Sequence, residues 1–523
     1  MEERRRALRP ADRTLALRVG PVIVVLAALS LPAAFHSAPS AAADHRAPAT
    51  APSILLIVTD DQRWDTLWAM PHVRELISDK GTTFDNAFVV NALCCPSRSS
   101  ILTGNYSHTT GVYRETPPFG AFPSFRDGST IATWLRSKGY STALFGKYID
   151  GYQHAALTGY VPPGWDRWVA FVRSTYQDYK LTVDGAIQSY GSTPADYSTN
   201  VLGGFADRFI RQTAGPIFVE FAPAAPHAPA IPEPRFAGSF ASLPPWRPTS
   251  FDERDVSDKP SYIRDTPPLD AGERSAVDQF RLDQYRTLLS VDHQVQVLID
   301  ALRETGRLHN TLIIFTSDNG LSWGEHRWVK KEVPYEESIR VPLIVRYDPL
   351  LAAGPPQRSA ALALNIDIAP TIADVAGVPA STDGRSLLPL LSDPASADWR
   401  RRFLIEHMEG TNPVPTYCAV RTQRFLFARY VTGEQELYDL QVDPYEMTNI
   451  AGSSPALAAE LHRELNTLCV PAPPGYDRRD GGAIAALFAI ASLMLAIFTR
   501  RGSRPDHVPG ARTRTSPRSR SGG

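Results

Sequence analysis

Five short, mainly apolar runs recur along the 523-residue chain, and each stops on a polar or charged residue. They cover 53–59 (SILLIVT), 141–145 (STALF), 217–221 (IFVEF), 311–316 (TLIIFT) and 342–346 (PLIVR). Runs of five to seven residues are strand-sized, and strands without polar alternation are buried on both faces. Helical patterns lie between them. The clearest covers 276–302, with Leu282, Leu288, Leu289, Val295 and Leu298 on its apolar side. This alternation predicts an α/β body built on a central, mostly parallel sheet flanked by helices. The pattern changes at 366–391, where IDIAPTIADVAGV reads as a short helix and DGRSLLPLL as a loop. Beyond it, 402–406, 417–421, 425–430 and 436–440 read as strands of a smaller antiparallel subdomain, closed by a helix at 454–468.

The ends differ from the body. Arg18 closes a basic stretch, an apolar run follows at 19–34, and Ala41-Ala42-Ala43 supplies a small-residue cleavage site. Residues 1–43 are therefore expected to be a secretory signal. A second apolar run at 483–498 precedes Arg500 and Arg501, so 481–499 is expected to be a membrane anchor with its basic tail, 500–523, in the cytoplasm. The expected organisation is a catalytic domain at 44–385, the small subdomain at 386–472 and a linker at 473–480. Thirteen Arg lie in the first 18 and last 24 residues, leaving 41 basic against 51 acidic residues between them. So acidic a body is a poor general nucleic-acid binder, and an anionic substrate must be held by a local cation cluster or a metal. Of four Cys, Cys418 and Cys469 are far enough apart to form a disulfide in an exported protein, which would stabilise it by roughly 3–4 kcal/mol.

Ligands of open α/β sheets bind beyond the carboxyl ends of the strands. Asp60-Asp61 follow the first run, Gly146-Lys147 the second, and His227 comes shortly after the third. Ser317-Asp318-Asn319 follow the fourth. Three carboxylates and an amide suit a hard cation with oxygen ligands, Ca²⁺ or Mg²⁺, rather than zinc. The chain has only seven Lys against 47 Arg, so a Lys at a strand end stands out. Unlike Arg, it can have its pKa lowered and act as a proton donor.

The sharpest local signal is Cys94-Cys95-Pro96-Ser97-Arg98-Ser99-Ser100-Ile101-Leu102-Thr103-Gly104. It fits C-x-P-S-R-x-x-x-L-T-G, and on it the chain resembles the sulfatase family from about residue 51 to 469. The resemblance implies an alkaline-phosphatase-like fold and oxidation of Cys94 to formylglycine by a formylglycine-generating enzyme. It implies Asp60, Asp61, Asp318 and Asn319 as metal ligands together with the modified Cys94. It also implies Arg98, Lys147, His227 and Lys331 around the sulfate, Lys331 matching K-x-x-P-Y-E at 331–336. The later strings DGRSLLPLL and ELYDLQVDPYEMTNI are similar to further family elements.

The implied reaction is hydrolysis of a sulfate monoester through an aldehyde-hydrate nucleophile, with His227 or Lys331 protonating the leaving alcohol. Many members carry His after G-K-W, where this chain has Ile149 in G-K-Y-I. Members resembling N-acetylglucosamine-6-sulfatase and the extracellular endosulfatases share that departure and the CCPSR string, which leans the substrate towards sulfated glycans. His326 in W-G-E-H is a candidate to replace the missing His; His108 reads as structural. Two alternatives remain at this stage. One is a phosphodiester or phosphonate monoester hydrolase on the same scaffold, against which Asn319 argues, since related phosphatases tend to carry His there. The other is a non-catalytic glycan binder that keeps Cys94 unmodified.

Overall fold

The computed structural model describes residues 50–351, 357–396 and 398–476. The expected signal segment 1–43 and apolar anchor 481–499 lie outside the described residues. Among those described, no helix is long and apolar enough to cross a membrane.

The strands in chain order are β1 (Ser53–Thr59), β2 (Thr82–Phe88), β3 (Ser141–Gly146), β4 (Arg167–Phe171), β5 (Tyr179–Val183), β6 (Ala186–Tyr190) and β7 (Ile217–Ala222). They continue with β8 (Thr311–Ser317), β9 (Leu343–Arg346), β10 (Gln357–Leu364), β11 (Arg402–His407), β12 (Tyr417–Thr422), β13 (Phe425–Tyr430) and β14 (Gln435–Asp439). Among the described residues, ten form one mixed sheet, β10-β2-β9-β8-β1-β7-β3-β4-β5-β6. Its middle is parallel: β1 pairs with β7 and β8, and β3 with β7 and β4. The short β9 runs antiparallel between β2 and β8.

Alternate residues of the central strands feed two helical layers, as the period of two requires. Leu55, Ile57, Val219, Phe221, Ile313 and Phe315 pack towards the helices Ser198–Gln212 and Ala271–Glu304. Ile54, Leu56, Val58, Phe218, Leu312 and Ile314 pack towards the helices Cys94–Thr103, Ile131–Ser137 and Ile368–Ala376. The long helix starts five residues before the apolar periodicity does. Its first turn is polar and is held by a capping box, in which Glu273 N donates to Asp270 Oδ1 and Asp270 N to Glu273 Oε2, both 2.8 Å.

β11 to β14 form a separate antiparallel sheet. One face packs on the helix Pro455–Leu468, and Cys418 on β12 is disulfide-bonded to Cys469 at the helix end. The other face packs against Phe88, Val89, Tyr335 and Ile339 of the larger body. Two sequence expectations need correction. The string DGRSLLPLL is not all loop, because Leu388–Ser392 is a short helix with Pro389 in its first turn. The sheet is also wider than the apolar runs indicate. β2, β4, β5, β6 and β10 carry Thr, Ser, Arg or Gln, since they sit towards the sheet margins where one face can stay polar.

Candidate active site

The topology brings the polar residues after β1, β3, β7 and β8 to one edge of the sheet. Asp60 and Asp61 leave β1 directly, and Asp61 sits at φ 65°, a left-handed conformation that Asp tolerates better than most residues. Its backbone N donates to Asp318 Oδ1 (3.1 Å), tying the turn after β1 to the turn after β8. β2 ends at Phe88, and the chain then turns into the helix Cys94–Thr103, all ten residues of which are buried. Gly104 ends that helix at φ 74°, the left-handed C-cap that glycine adopts without strain. Cys94 is its first residue, and no side chain caps that end, so the helix presents its N-terminal dipole to the Cys94 side chain.

Cations and carboxylates interleave around Cys94. Lys331 Nζ lies 2.8 Å from Cys94 Sγ and 2.5 Å from Asp61 Oδ1. Lys147 Nζ lies 2.8 Å from Asp60 Oδ2. Arg98 Nε donates to Asp318 Oδ2 (2.8 Å) and Nη1 to the Lys147 carbonyl (3.1 Å). His227 Nε2 lies 3.7 Å from Asp61 Oδ2, while its Nδ1 sits 2.6 Å from the Ala228 carbonyl. With the proton on Nδ1, Nε2 is left to face the site.

Burial drives the Asp60 pKa up, but Lys147, His227 and Arg98 outweigh it and hold the carboxyl below its usual range. Asp61 is likewise held down against burial, by Lys331 and His227. Burial works to lower the two lysines, yet Asp150 and Asp60 hold Lys147, and Asp61 and Cys94 hold Lys331, well above the usual range. Both lysines are therefore held as cations in this arrangement. Burial also pushes the Cys94 thiol well up. An unmodified Cys94 is thus a poor nucleophile, because the thiolate is the reactive form.

The residues fit a hard divalent cation. Asn319 Nδ2 donates to Asp61 Oδ1 (2.6 Å) and to the Gly320 carbonyl (2.9 Å), leaving its buried Oδ1 without a partner. That amide oxygen joins the Asp60, Asp61 and Asp318 carboxylates in an all-oxygen set. Asp60, Asp61, Cys94 and His227 each offer a ligand atom within 4.8 Å of the others.

Sequence reasoning missed two groups beside this centre. Glu115 and Asp150 cluster with Cys94, and both line a cavity of about 930 Å³ together with Lys147, His227 and Thr411. Asp150 is legible in retrospect, three residues past Lys147; Glu115 lies in a loop with no motif. Thr411 comes from the loop between β11 and β12, so the smaller sheet borders the cavity. His326 is not brought to this edge. Its Nδ1 lies 2.6 Å from Glu253 Oε2, its ring packs on Tyr335, and it does not line the cavity. His108 pairs with Glu406 (3.0 Å) and stacks on Tyr106, a structural arrangement. Ile149 is buried.

Comparisons with known proteins match most of the chain. The family model described as Sulfatase matches residues 52–378, and one described as N-sulphoglucosamine sulphohydrolase, C-terminal, matches residues 324–470. The N-acetylglucosamine-6-sulfatase of Capra hircus is 33% identical over 470 residues, which cover 80% of this chain and 83% of the relative. A structure solved in complex with its substrate, D-glucosamine-2-N,6-O-disulfate, superposes with a TM-score of 0.70 at 27% identity, covering 82% of this chain and 100% of the other. The phosphonate monoester hydrolase of Agrobacterium radiobacter also superposes, with a TM-score of 0.64 at 22% identity over 80% and 96% of the two chains. The scaffold is therefore shared between sulfate and phosphonate chemistry, and the fold alone does not choose between them.

Proposed function

The chain belongs to the sulfatase family and is a sulfuric ester hydrolase, and on that footing we propose that it removes sulfate from the 6-position of glucosamine-type sugars, using Cys94 in its formylglycine form. The observation that carries the reading is the surroundings of Cys94: a helix N-terminus, two lysines, an arginine and a histidine around one buried side chain. The sugar class is supported by the relatives named above and by a cavity of about 930 Å³, large enough for one or two sugar rings. Glu115 and Asp150 on its wall are suited to sugar hydroxyls or an amino group.

Asp60, Asp61, Asp318 and Asn319 would hold the cation, Ca²⁺ or Mg²⁺; when bound it supplies charge stabilisation at the sulfate, and the modified Cys94 supplies the nucleophile. The chain's own residues do the rest. Lys147 and Lys331 are fixed cations beside Cys94, placed to take up negative charge on sulfate oxygens. Arg98 holds Asp318 and the Lys147 backbone, and so ties the turn after β8, which carries an acidic ligand, to the turn after β3, which carries Lys147. His227, half-exposed with Nδ1 held by the Ala228 carbonyl and Nε2 towards the site, is the proton donor to the leaving alcohol when its ring is doubly protonated. Lys331, held strongly protonated, stays a charge rather than a proton source.

Export follows from the same reading. The disulfide Cys418–Cys469 supports an oxidising compartment, the signal reading of 1–43 supplies the route, and 481–499 the proposed anchor. Two measurements test the proposal together. Mass spectrometry of the tryptic peptide 81–98 from the native host should show loss of the Cys94 sulfur and gain of a carbonyl oxygen. Rates on N-acetylglucosamine 6-sulfate, an aryl sulfate and an aryl phosphonate ester should rank in that order. Faster turnover of the phosphonate would overturn the substrate assignment, and an unmodified peptide would remove the nucleophile.

A further inference from the structure

A second polar cluster lies apart from the catalytic edge and shares no residue with it. His326 comes from the loop after β8, Glu337 from the short helix Glu336–Ile339, and Glu446 from the turn after β14. Each offers a ligand atom within 4.8 Å of the other two, and all three residues are buried. Each also carries one buried polar atom with no hydrogen-bond partner: His326 Nε2, Glu337 Oε2 and Glu446 Oε1. Their other polar atoms are engaged where it matters. His326 Nδ1 is taken by Glu253 Oε2 (2.6 Å), and Glu446 Oε2 accepts from Glu336 N (3.1 Å).

The nearby cations are committed elsewhere. Arg63 bonds Asp65 and Glu325, Arg421 bonds Glu336, and Lys259 Nζ donates to the carbonyls of Glu446 and Met447. Three buried acceptors facing one another are unfavourable unless a metal cation, or a proton that burial favours on Glu337 or Glu446, joins them. The Glu253 contact has a further consequence. A histidine whose Nδ1–H donates to a carboxylate presents Nε2 as a lone pair, the arrangement that orients metal-ligating imidazoles. Two of the three residues, His326 at φ 51° and Glu446 at φ 54°, also hold left-handed backbone that the surrounding packing must enforce.

We propose that His326, Glu337 and Glu446 form a second divalent-metal site, for a zinc-type first-row ion, distinct from the catalytic cation site. One imidazole and two carboxylates suit zinc, with water completing the shell, and offer too few oxygens for Ca²⁺. Glu337 also lines a cavity of about 580 Å³ bordered by Arg63, Trp64, Trp246 and Arg340, which gives the ion a route in. The site joins the loop after β8, the segment that carries Lys331, and the turn after β14. It does not depend on the sulfatase reading.

The full chain, saturated with Ca²⁺ and dialysed against zinc, is the material for the test. Metal analysis after desalting should find about one zinc per chain in the unaltered protein. His326→Ala and Glu446→Gln should each weaken zinc retention about 10- to 100-fold and leave bound Ca²⁺ unchanged. Anomalous diffraction at the zinc edge from the unaltered protein needs no variant, and should put a peak between His326 Nε2 and the two carboxylates. A zinc peak only at the Asp60–Asp61 edge, an ordered water without anomalous signal at the cluster, or equal zinc in both variants would each overturn the proposal.

Discussion

The catalytic edge and the Glu436 cluster are both buried, polar and built around carboxylates, yet they are organised in opposite ways. At the catalytic edge each carboxylate faces a cation: Asp60 meets Lys147, Asp61 meets Lys331 and Asp318 meets Arg98. The edge borders a large cavity and keeps an unpartnered oxygen on Asn319. Glu436, on β14 of the small sheet, instead takes three tyrosine hydroxyls, from Tyr335 (2.6 Å), Tyr430 (2.5 Å) and Tyr438 (2.6 Å). Its hydrogen-bonding capacity is spent within the protein and no solvent reaches it. The first cluster keeps charge available for a ligand, while the second closes on itself and fixes position. The two meet in one segment, because Tyr335 anchors the strip of chain that carries Lys331.

If this division is right, substitutions at the edge remove turnover and spare stability. Cys94→Ala should lower kcat on N-acetylglucosamine 6-sulfate by about 10⁴-fold or more, because the nucleophile is gone. Its melting temperature should stay within a few degrees, since only one sulfur is lost. Retained activity would mean that the centre around Cys94 is not where the ester is cleaved. Lys331→Ala should lower kcat by about 10²- to 10³-fold, the scale for losing one charge-stabilising group. A change confined to KM would instead make Lys331 a binding residue with no role in the transition state.

The same contrast explains what was legible in the sequence. The edge could be read because β1, β3, β7 and β8 announce themselves as apolar runs, and parallel topology sends their carboxyl ends to one side. Asp60, Asp61, Lys147, Asp318 and Asn319 follow those runs within a residue or two. His227 follows its run less closely, since Ala222–Pro226 intervene, and its role came only from the family match. The smaller sheet was legible as four strands, but the Glu436 cluster was not. Its members lie 101 residues apart in the Tyr335 contact, and no periodicity links them. His326 failed for the same reason. Its neighbour Glu325 and its motif suggested the catalytic edge, whereas its contacts with Glu253 and Tyr335 depend on loops whose paths leave no pattern in sequence. Glu115 is a third case, a loop residue brought in by tertiary packing alone.

Glu436→Gln tests the closed cluster. The amide replaces an acceptor with a donor, so one tyrosine hydroxyl must turn away or go unpaired. Loss of one buried hydrogen bond with its acceptor costs about 1–3 kcal/mol. The expected result is a lower denaturant midpoint with kcat changed by less than about tenfold. A kcat loss as large as that of Lys331→Ala, at unchanged stability, would show that the cluster acts through the Lys331 segment and would erase the division drawn above.

Glu220 sharpens the comparison from between the two cases, with the smallest expected effect. It lies on β7 opposite Leu56 of β1 and Leu144 of β3, buried in a mostly apolar layer, with its Oε2 unpartnered. Burial pushes its pKa up to about 7, against a smaller downward pull from Arg98. The folded carboxyl therefore binds its proton more tightly than the unfolded one, whose pKa is about 4.3. A folded state that binds more protons loses stability as pH rises. The Glu220 contribution is fully present below the unfolded value, shrinks between about 4.3 and 7, and is gone above that. Glu220→Gln keeps the shape and removes the titration. Unfolding free energies of the two proteins should converge near pH 4.5 and separate by about 1–3 kcal/mol by pH 8, with the variant more stable. Parallel curves across that range would mean that Arg98 keeps Glu220 ionised throughout. Glu220 would then belong with the charge-paired catalytic edge, and the charge network of that edge would extend one strand deeper into the sheet.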